Sequence, residues 1–289
     1  MADGRLVREG VRLGIITPIA TQMPGAHAAW EADAGIDEMR QIAVAADRLG
    51  FDHLTCSEHV AVPPADAEVR GTVYWDPLAT LGFLAGHTER IRLATYVLVL
   101  GYHHPLELAK RYGTLDRIAD GRLVLGLGVG TLQREFEVLE VPMRDRGERA
   151  DDALRALRAS MGRRLVSYQG EHYRFDDLVV EPHAVNEHVP FWIGGRSRRS
   201  LQRAVELGDG WAPFGLKAAE LEAWLAEVDP AETFEVVAQP GSLVDPVGDP
   251  ARVDDVLGQW GRAGATIVNL HLVHHSLAHY LEQLDALAS

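Results

Sequence analysis

Glu58 and His59 stand side by side in Thr55-Cys56-Ser57-Glu58-His59-Val60, at the end of an apolar run, and a carboxylate next to an imidazole is an acid/base pair. Histidine changes charge near neutral pH, so one partly desolvated beside a carboxylate can take up and release a proton at working pH. The same pair at a strand end can equally do no more than satisfy loop hydrogen bonds. A second group is Phe191-Trp192-Ile193-Gly194-Gly195-Arg196-Ser197, which reads as a buried strand passing through two glycines into a helix. Gly194 and Gly195 let the backbone approach an anion, and the unpaired first-turn N–H groups of a helix carry the positive end of its dipole. Arg196, Ser197, Arg198 and Arg199 add donors at that end. An ordinary strand-to-helix turn has the same local pattern, so context must decide. A third group, Gly126-Leu127-Gly128-Val129-Gly130-Thr131, puts small residues at alternate positions. That is either a flat backbone surface for a planar ring or an anion, or close packing between layers of side chains.

Other chemistries fit less well. His271, His274 and His275 form one histidine cluster and His103 with His104 another, but no His-x-His follows the first apolar run and no His-Glu-x-x-His occurs. A metal centre is therefore not expected, and His271 and His275 are read as substrate-pocket residues or as a polar strand end. Lys110 and Lys217 are the only lysines, and neither sits at the inner end of a strand, which argues against a Schiff-base mechanism.

The elements that must position these groups alternate along the chain. Candidate strands are Arg12 to Thr17, Phe51 to Cys56, Ile91 to Leu100, Leu123 to Gly128, Pro190 to Gly194, Gly210 to Phe214, Thr233 to Gln239 and Ala265 to Leu272. Between them lie amphipathic stretches with their own boundary signals. Ile36, Met39, Ala43, Ala46 and Leu49 repeat at helical spacing and stop at Gly50; Asp76-Pro77 and Pro105 open helices, and Asp120-Gly121 ends one. Further helices are expected from Asp145 to about Gly162, Arg198 to Leu207, Lys217 to Val228, Pro250 to Ala263 and Ser276 to Ala288. Repeated β-α units of this number close most simply into one (β/α)8 TIM barrel over residues 1–289, with a doubly wound sheet as the competing fold. An insertion, Arg164 to Val189, alternates Val166, Tyr168, His172, Tyr173 and Phe175 and reads as a hairpin and loop before the fifth strand.

Bulk properties narrow the partners. A formal charge of -14 excludes a nucleic-acid surface, so an anionic ligand must be held by a local site. A single cysteine, Cys56, excludes an internal disulfide framework and points to a reducing, cytoplasmic setting. The first eleven residues lack an apolar targeting core and no segment has the length and hydrophobicity of a membrane span, so a soluble protein without membrane contact is expected.

In order and spacing, six segments together resemble the luciferase-like monooxygenase superfamily and, within it, the deazaflavin-dependent (coenzyme F420) oxidoreductases. They are Ala45-Ala46-Asp47-Arg48-Leu49-Gly50-Phe51-Asp52, Ser57-Glu58-His59, Leu115-Asp116-Arg117-Ile118-Ala119-Asp120-Gly121-Arg122, Gly126-Leu127-Gly128-Val129-Gly130, Gly194-Gly195-Arg196-Ser197 and Gly208-Asp209-Gly210-Trp211. The resemblance covers nearly the whole chain. It implies a barrel with a ring cofactor across its strand ends, hydride transfer between deazaflavin C5 and a small organic substrate, and a homodimer. Glu58-His59 matches the family's acidic residue and histidine, which makes His59 the group that moves the proton. Tyr96-Val97 matches the place of a non-prolyl cis peptide in a bulge behind the ring. Val129, Gly130 and Thr131 match the loop beside the ring and its ribityl chain, and Gly194, Gly195, Arg196 and Ser197 match the phosphate segment. Relatives often carry tryptophan or glutamate near Thr131, so the departure argues against a catalytic acid from this loop; Gln133 and Glu135 lie nearby without an assigned role. The Ser57-Glu58-His59 run and the lack of a large lid-like insertion favour deazaflavin. The alternatives are a barrel that uses flavin mononucleotide (FMN) to activate oxygen, and one that holds either ring without catalysis.

Overall fold

In the computed structural model, which describes residues 4–289, eight parallel strands close into a barrel. They are β1 (Val11–Ile15), β2 (His53–Cys56), β3 (Arg92–Thr95), β4 (Leu123–Gly128), β5 (Phe191–Gly194), β6 (Gly210–Ala212), β7 (Glu235–Ala238) and β8 (Ile267–Leu270). β8 pairs with β1 through Ile267 opposite Arg12, and β1 with β2 through Ile15 opposite Leu54, which closes the ring. Each strand is followed by a helix: α1 (Ile36–Leu49), α2 (Pro77–Ala85), α3 (Pro105–Ile118), α4 (Arg146–Ser160), α5 (Arg198–Leu207), α6 (Ala218–Leu225), α7 (Pro250–Arg262) and α8 (Leu277–Ala288). The fold is the expected (β/α)8 barrel, and its boundaries follow from local chemistry. Gly50 ends α1 at φ 83°, a left-handed conformation that favours glycine, and Asp76 caps α2 by accepting from Ala79 N at 2.8 Å. The expected insertion contains an antiparallel hairpin, Leu165–Gln169 with Arg174–Val179, which buries Val166 and Phe175 against Ala156 of α4. Among the described residues no helix is long and apolar enough to cross a membrane.

Two departures from the sequence reading shape the site. The run from Ile91 to Leu100 is not one strand: β3 stops at Thr95, the Tyr96-Val97 peptide bond is cis, as the family resemblance implied, and Leu98–Val99 pairs again with β4. This bulge explains the glycine alternation of β4. A Cβ on Gly126 would lie 2.0 Å from the Thr95 carbonyl oxygen, on Gly128 2.6 Å from Val97 Cγ2, and on Gly194 2.8 Å from Val97 Cγ1. Gly126 and Gly128 are thus the close-packing alternative, set by the approach of a neighbouring strand. The second departure is a short helix, Gln133–Val138, inserted after β4.

The barrel interior is apolar at mid-height, with Ala94, Val124, Trp192, Val237 and Ile267 in one cluster. At its N-terminal end the interior is ionic. Asp52 accepts from Arg5 Nη1 at 3.0 Å, Arg12 Nη1 at 3.0 Å, Arg92 Nη2 at 2.6 Å and His53 Nδ1 at 2.8 Å. Glu235 accepts from Arg12, Arg92 and Trp192 Nε1. Burial alone would raise the Asp52 pKa, but the His53 hydrogen bond and the charges of Arg92 and Arg12 hold it far below the usual carboxylate range. Burial also lowers the pKa of His53, so this imidazole donates to Asp52 in its neutral form. In barrels of this class the N-terminal end serves stability and the opposite end carries chemistry.

Candidate active site

At the C-terminal ends of the strands lies a cavity of about 460 Å³. It is lined by Glu58, His59, Tyr96, Val97, Val129, Gly130, Thr131, Gly194, Gly195, Arg196 and Ser197. Barrel closure brings these groups, scattered over four strand ends, around one space.

His59 is fixed from behind by a residue the sequence left without a role. Its Nδ1 lies 2.7 Å from Glu135 Oε2 in the short helix after β4, and Tyr102 OH donates to the same oxygen at 2.8 Å. The other oxygen, Oε1, accepts from Val60 N at 2.6 Å and Ala61 N at 3.2 Å. Glu135 is 2% exposed. Burial would raise its pKa, but the hydrogen bonds from His59 and Tyr102 outweigh that and hold it below the ordinary value, so it is a carboxylate and can only accept. His59 therefore carries its proton on Nδ1 towards Glu135, its Nε2 has no hydrogen-bond partner among the described residues, and the residue lines the cavity. Tyr74 packs edge-on against the imidazole, with ring centroids 4.5 Å apart.

Glu58 and His59 diverge. Glu58 Oε2 accepts from Val99 N at 2.7 Å and Oε1 pairs with His103 Nε2 at 2.7 Å. Both Glu58 oxygens hold the segment that follows the cis bond, while the residue lines the cavity. Ser57 completes that support by donating from Oγ to the Tyr96 carbonyl at 2.7 Å. Converting Glu135 to glutamine removes the charge that orients His59 while keeping its shape; kcat is expected to fall about 10- to 100-fold with KM changed by less than about threefold. Steady-state kinetics check this, and an unchanged kcat removes Glu135 from the positioning role.

The glycine turn also resolves into parts. Gly195 sits at φ 145°, where glycine is favoured, and Ser197 caps α5 by accepting from Ser200 N at 3.2 Å. Arg198 is taken by Glu227, at 2.7 and 2.6 Å, and Arg199 by Asp151 at 2.6 Å, so these two expected donors point away from the turn. Arg203, which also lines the cavity, is neutralised by Asp151. Arg196 remains: it is exposed, makes no ion pair among the described residues, and lies with its guanidinium carbon 5.9 Å from the Phe214 ring centroid. It stands beside the first turn of α5, the end of a helix that favours negative charge.

The remaining wall comes from β6, β7, β8 and the loop after β1. Ile16, Met23, Ala212 and Phe214 make it largely apolar, and Thr21, Gln239 and His271 are its polar members. Gln239 Nε2 and His271 Nε2 are 3.3 Å apart. His275, expected beside His271, instead turns outward to His279, with Nδ1 atoms 2.6 Å apart. His274 is occupied by Trp30 Nε1 at 2.9 Å and faces Glu31 at 3.5 Å.

Known proteins resemble this chain in sequence or in fold. A 28% identical stretch of 191 residues, 65% of this chain and 55% of the other, matches the F420-dependent glucose-6-phosphate dehydrogenase of Nakamurella multipartita. A flavin-dependent trigonelline monooxygenase oxygenase component from Acinetobacter baylyi is 27% identical over 211 residues, 71% of this chain and 56% of that one. The crystal structure of monooxygenase RslO1 from Streptomyces bottropensis superposes with a TM-score of 0.74 at 20% identity, covering 96% of this chain and 98% of the other. These neighbours span deazaflavin- and flavin-dependent oxidoreductases and monooxygenases. The family model described as luciferase-like monooxygenase matches residues 11–244, and the chain belongs to that family.

Proposed function

We propose that this protein is an F420-dependent oxidoreductase that moves a hydride between deazaflavin C5 and a small organic substrate. The observation that carries this reading is the His59–Glu135 pair, which locks Nδ1 and leaves Nε2 without a partner among the described residues, on a residue that lines the same cavity as the Gly194–Ser197 turn. When bound, a deazaflavin supplies a carbon that accepts or gives hydride and no proton, so the proton must travel through the protein. In the oxidising direction His59 Nε2 takes the proton of the substrate hydroxyl as the adjacent C–H bond breaks with its electron pair. In the reducing direction it returns that proton to the carbonyl oxygen. Glu135 stabilises the imidazolium that exists between these events.

The residues present fit such a cofactor. Val97 and Val129 offer apolar surface in the cavity, and Arg196 with the α5 terminus supplies positive charge for a phosphate in a chain of net charge -14. A relative of 28% identity is named for F420, which supports the same reading. The partners proposed are this cofactor, one small substrate and a second copy of the chain. Titrating purified protein separately with F420 and with FMN, followed by absorbance, is expected to give at least about tenfold tighter binding of the deazaflavin, about 1.4 kcal/mol. Preferential binding of FMN sinks the assignment in favour of oxygen-activating chemistry.

A further inference from the structure

Gln239 and His271 face the cavity from neighbouring strand ends, on the side away from the anion-binding turn, and their contact with each other fixes what they offer a ligand. Their Nε2 atoms are 3.3 Å apart. With the side-chain amide in the orientation shown, Gln239 donates to His271 Nε2, leaving Gln239 Oε1 as an acceptor and His271 Nδ1–H as a donor. With the amide turned over, Oε1 accepts from Nε2–H, leaving the amide N–H as a donor and Nδ1 as an acceptor. Either way an acceptor and at least one donor remain, and none of them has a partner among the described residues.

This wall also lacks charge. Burial holds the His271 pKa down to about 4, so the ring is neutral at working pH. Of the cavity's arginines, Arg196 belongs to the α5 turn, Arg203 is paired with Asp151, and Arg70 lies beside Thr131 on the far side. Behind His271, a small void is closed by Glu31 and His274, which places a carboxylate where an anionic ligand would need a cation. The neighbouring walls, Ile16, Met23, Ala212 and Phe214, are apolar.

We propose that Gln239 and His271 select the substrate, binding an uncharged organic molecule through a group that both donates and accepts a hydrogen bond, a hydroxyl or carboxamide, and rejecting phosphate and carboxylate at that position. The inference rests on reading this cavity as the cofactor-and-substrate site, with the ligand's reactive carbon towards His59. It separates the chain from catalysts of phosphorylated sugars, whose substrates need cations that this wall does not supply.

The test is equilibrium binding by calorimetry to the cofactor-loaded protein, using 1-phenylethane-1,2-diol, mandelate and 1-phenylethanol as matched probes. The diol is expected to bind roughly tenfold more tightly than mandelate and about fivefold more tightly than 1-phenylethanol, the ratio two modest hydrogen bonds would give. Gln239→Leu and His271→Phe should each abolish the diol's advantage over 1-phenylethanol while leaving cofactor affinity unchanged. The two changes lie on different strands, so one remains informative if the other does not fold. Equal or tighter binding of mandelate, no binding of the diol to the wild-type protein, or a diol advantage that survives in the variants overturns the proposal. The same titrations on FMN-loaded or cofactor-free protein read this preference independently, so a failed F420 assignment is distinguishable from a failed substrate wall.

Discussion

Replacing His59 by alanine is expected to lower kcat by about 10²- to 10⁴-fold, the usual contribution of one positioned acid/base group. Cofactor affinity should stay within about threefold, because the anion-binding turn of β5 and α5 lies on a different part of the cavity. The reason for so large an effect is geometric. Nε2 is the unpaired ring nitrogen of an imidazole whose other nitrogen is held at 2.7 Å by a buried carboxylate, so the ring that takes up the proton is already fixed before substrate arrives. Without it the substrate oxygen must exchange its proton with water inside an apolar pocket. Single-turnover absorbance at the ring's own band separates this from loss of binding. Turnover that survives the change intact assigns the proton to another group.

A second large effect is expected far from the chemistry. Asp52→Asn should cost about 3–5 kcal/mol, because it leaves buried guanidinium groups facing a neutral amide that cannot compensate them. Asp52 is 1% exposed and takes hydrogen bonds from three arginines and His53. Glu235 remains, but it already shares Arg12 and Arg92 and stands alone against both in the variant. For a chain of this size the melting temperature should fall on the order of 10 °C. The pH dependence has a definite sign. The folded-state pKa of Asp52 is depressed, so its contribution is complete above the unfolded value near 4 and is lost as pH falls below it. Denaturant melts at pH 7 and pH 3 should therefore show the wild-type advantage over the variant shrinking in acid. An advantage that is constant, or that grows in acid, removes Asp52 from this role.

Much of the architecture was legible from the chain. Apolar runs alternating with amphipathic stretches specify β-α units, since a strand buried on both faces and a helix buried on one leave different periodicities. Gly50, Asp76-Pro77 and Pro105 mark element ends because their backbone limits or side-chain acceptors act within one turn. The membership of the cavity was legible too, because strand ends of a closed barrel must meet at one mouth.

Other features were set only when the ring closed. The apolar run through Tyr96-Val97 carries no local sign of a break, and the clearances at Gly126, Gly128 and Gly194 exist only once their neighbours are in place. Arg198 and Arg199 looked like anion donors beside the turn, yet Glu227 and Asp151, remote in sequence, claim them. Glu135 is 76 residues from His59, and Gln239 is 32 from His271. Sequence by itself determined which residues would be buried, where helices begin and end, and which groups sit at strand ends, because those depend on side-chain type and short-range sterics. Tertiary structure alone decided which of these groups touch, which nitrogen of His59 is left for chemistry and which charges are already spent, because hydrogen bonds and desolvation depend on distances that only barrel closure fixes.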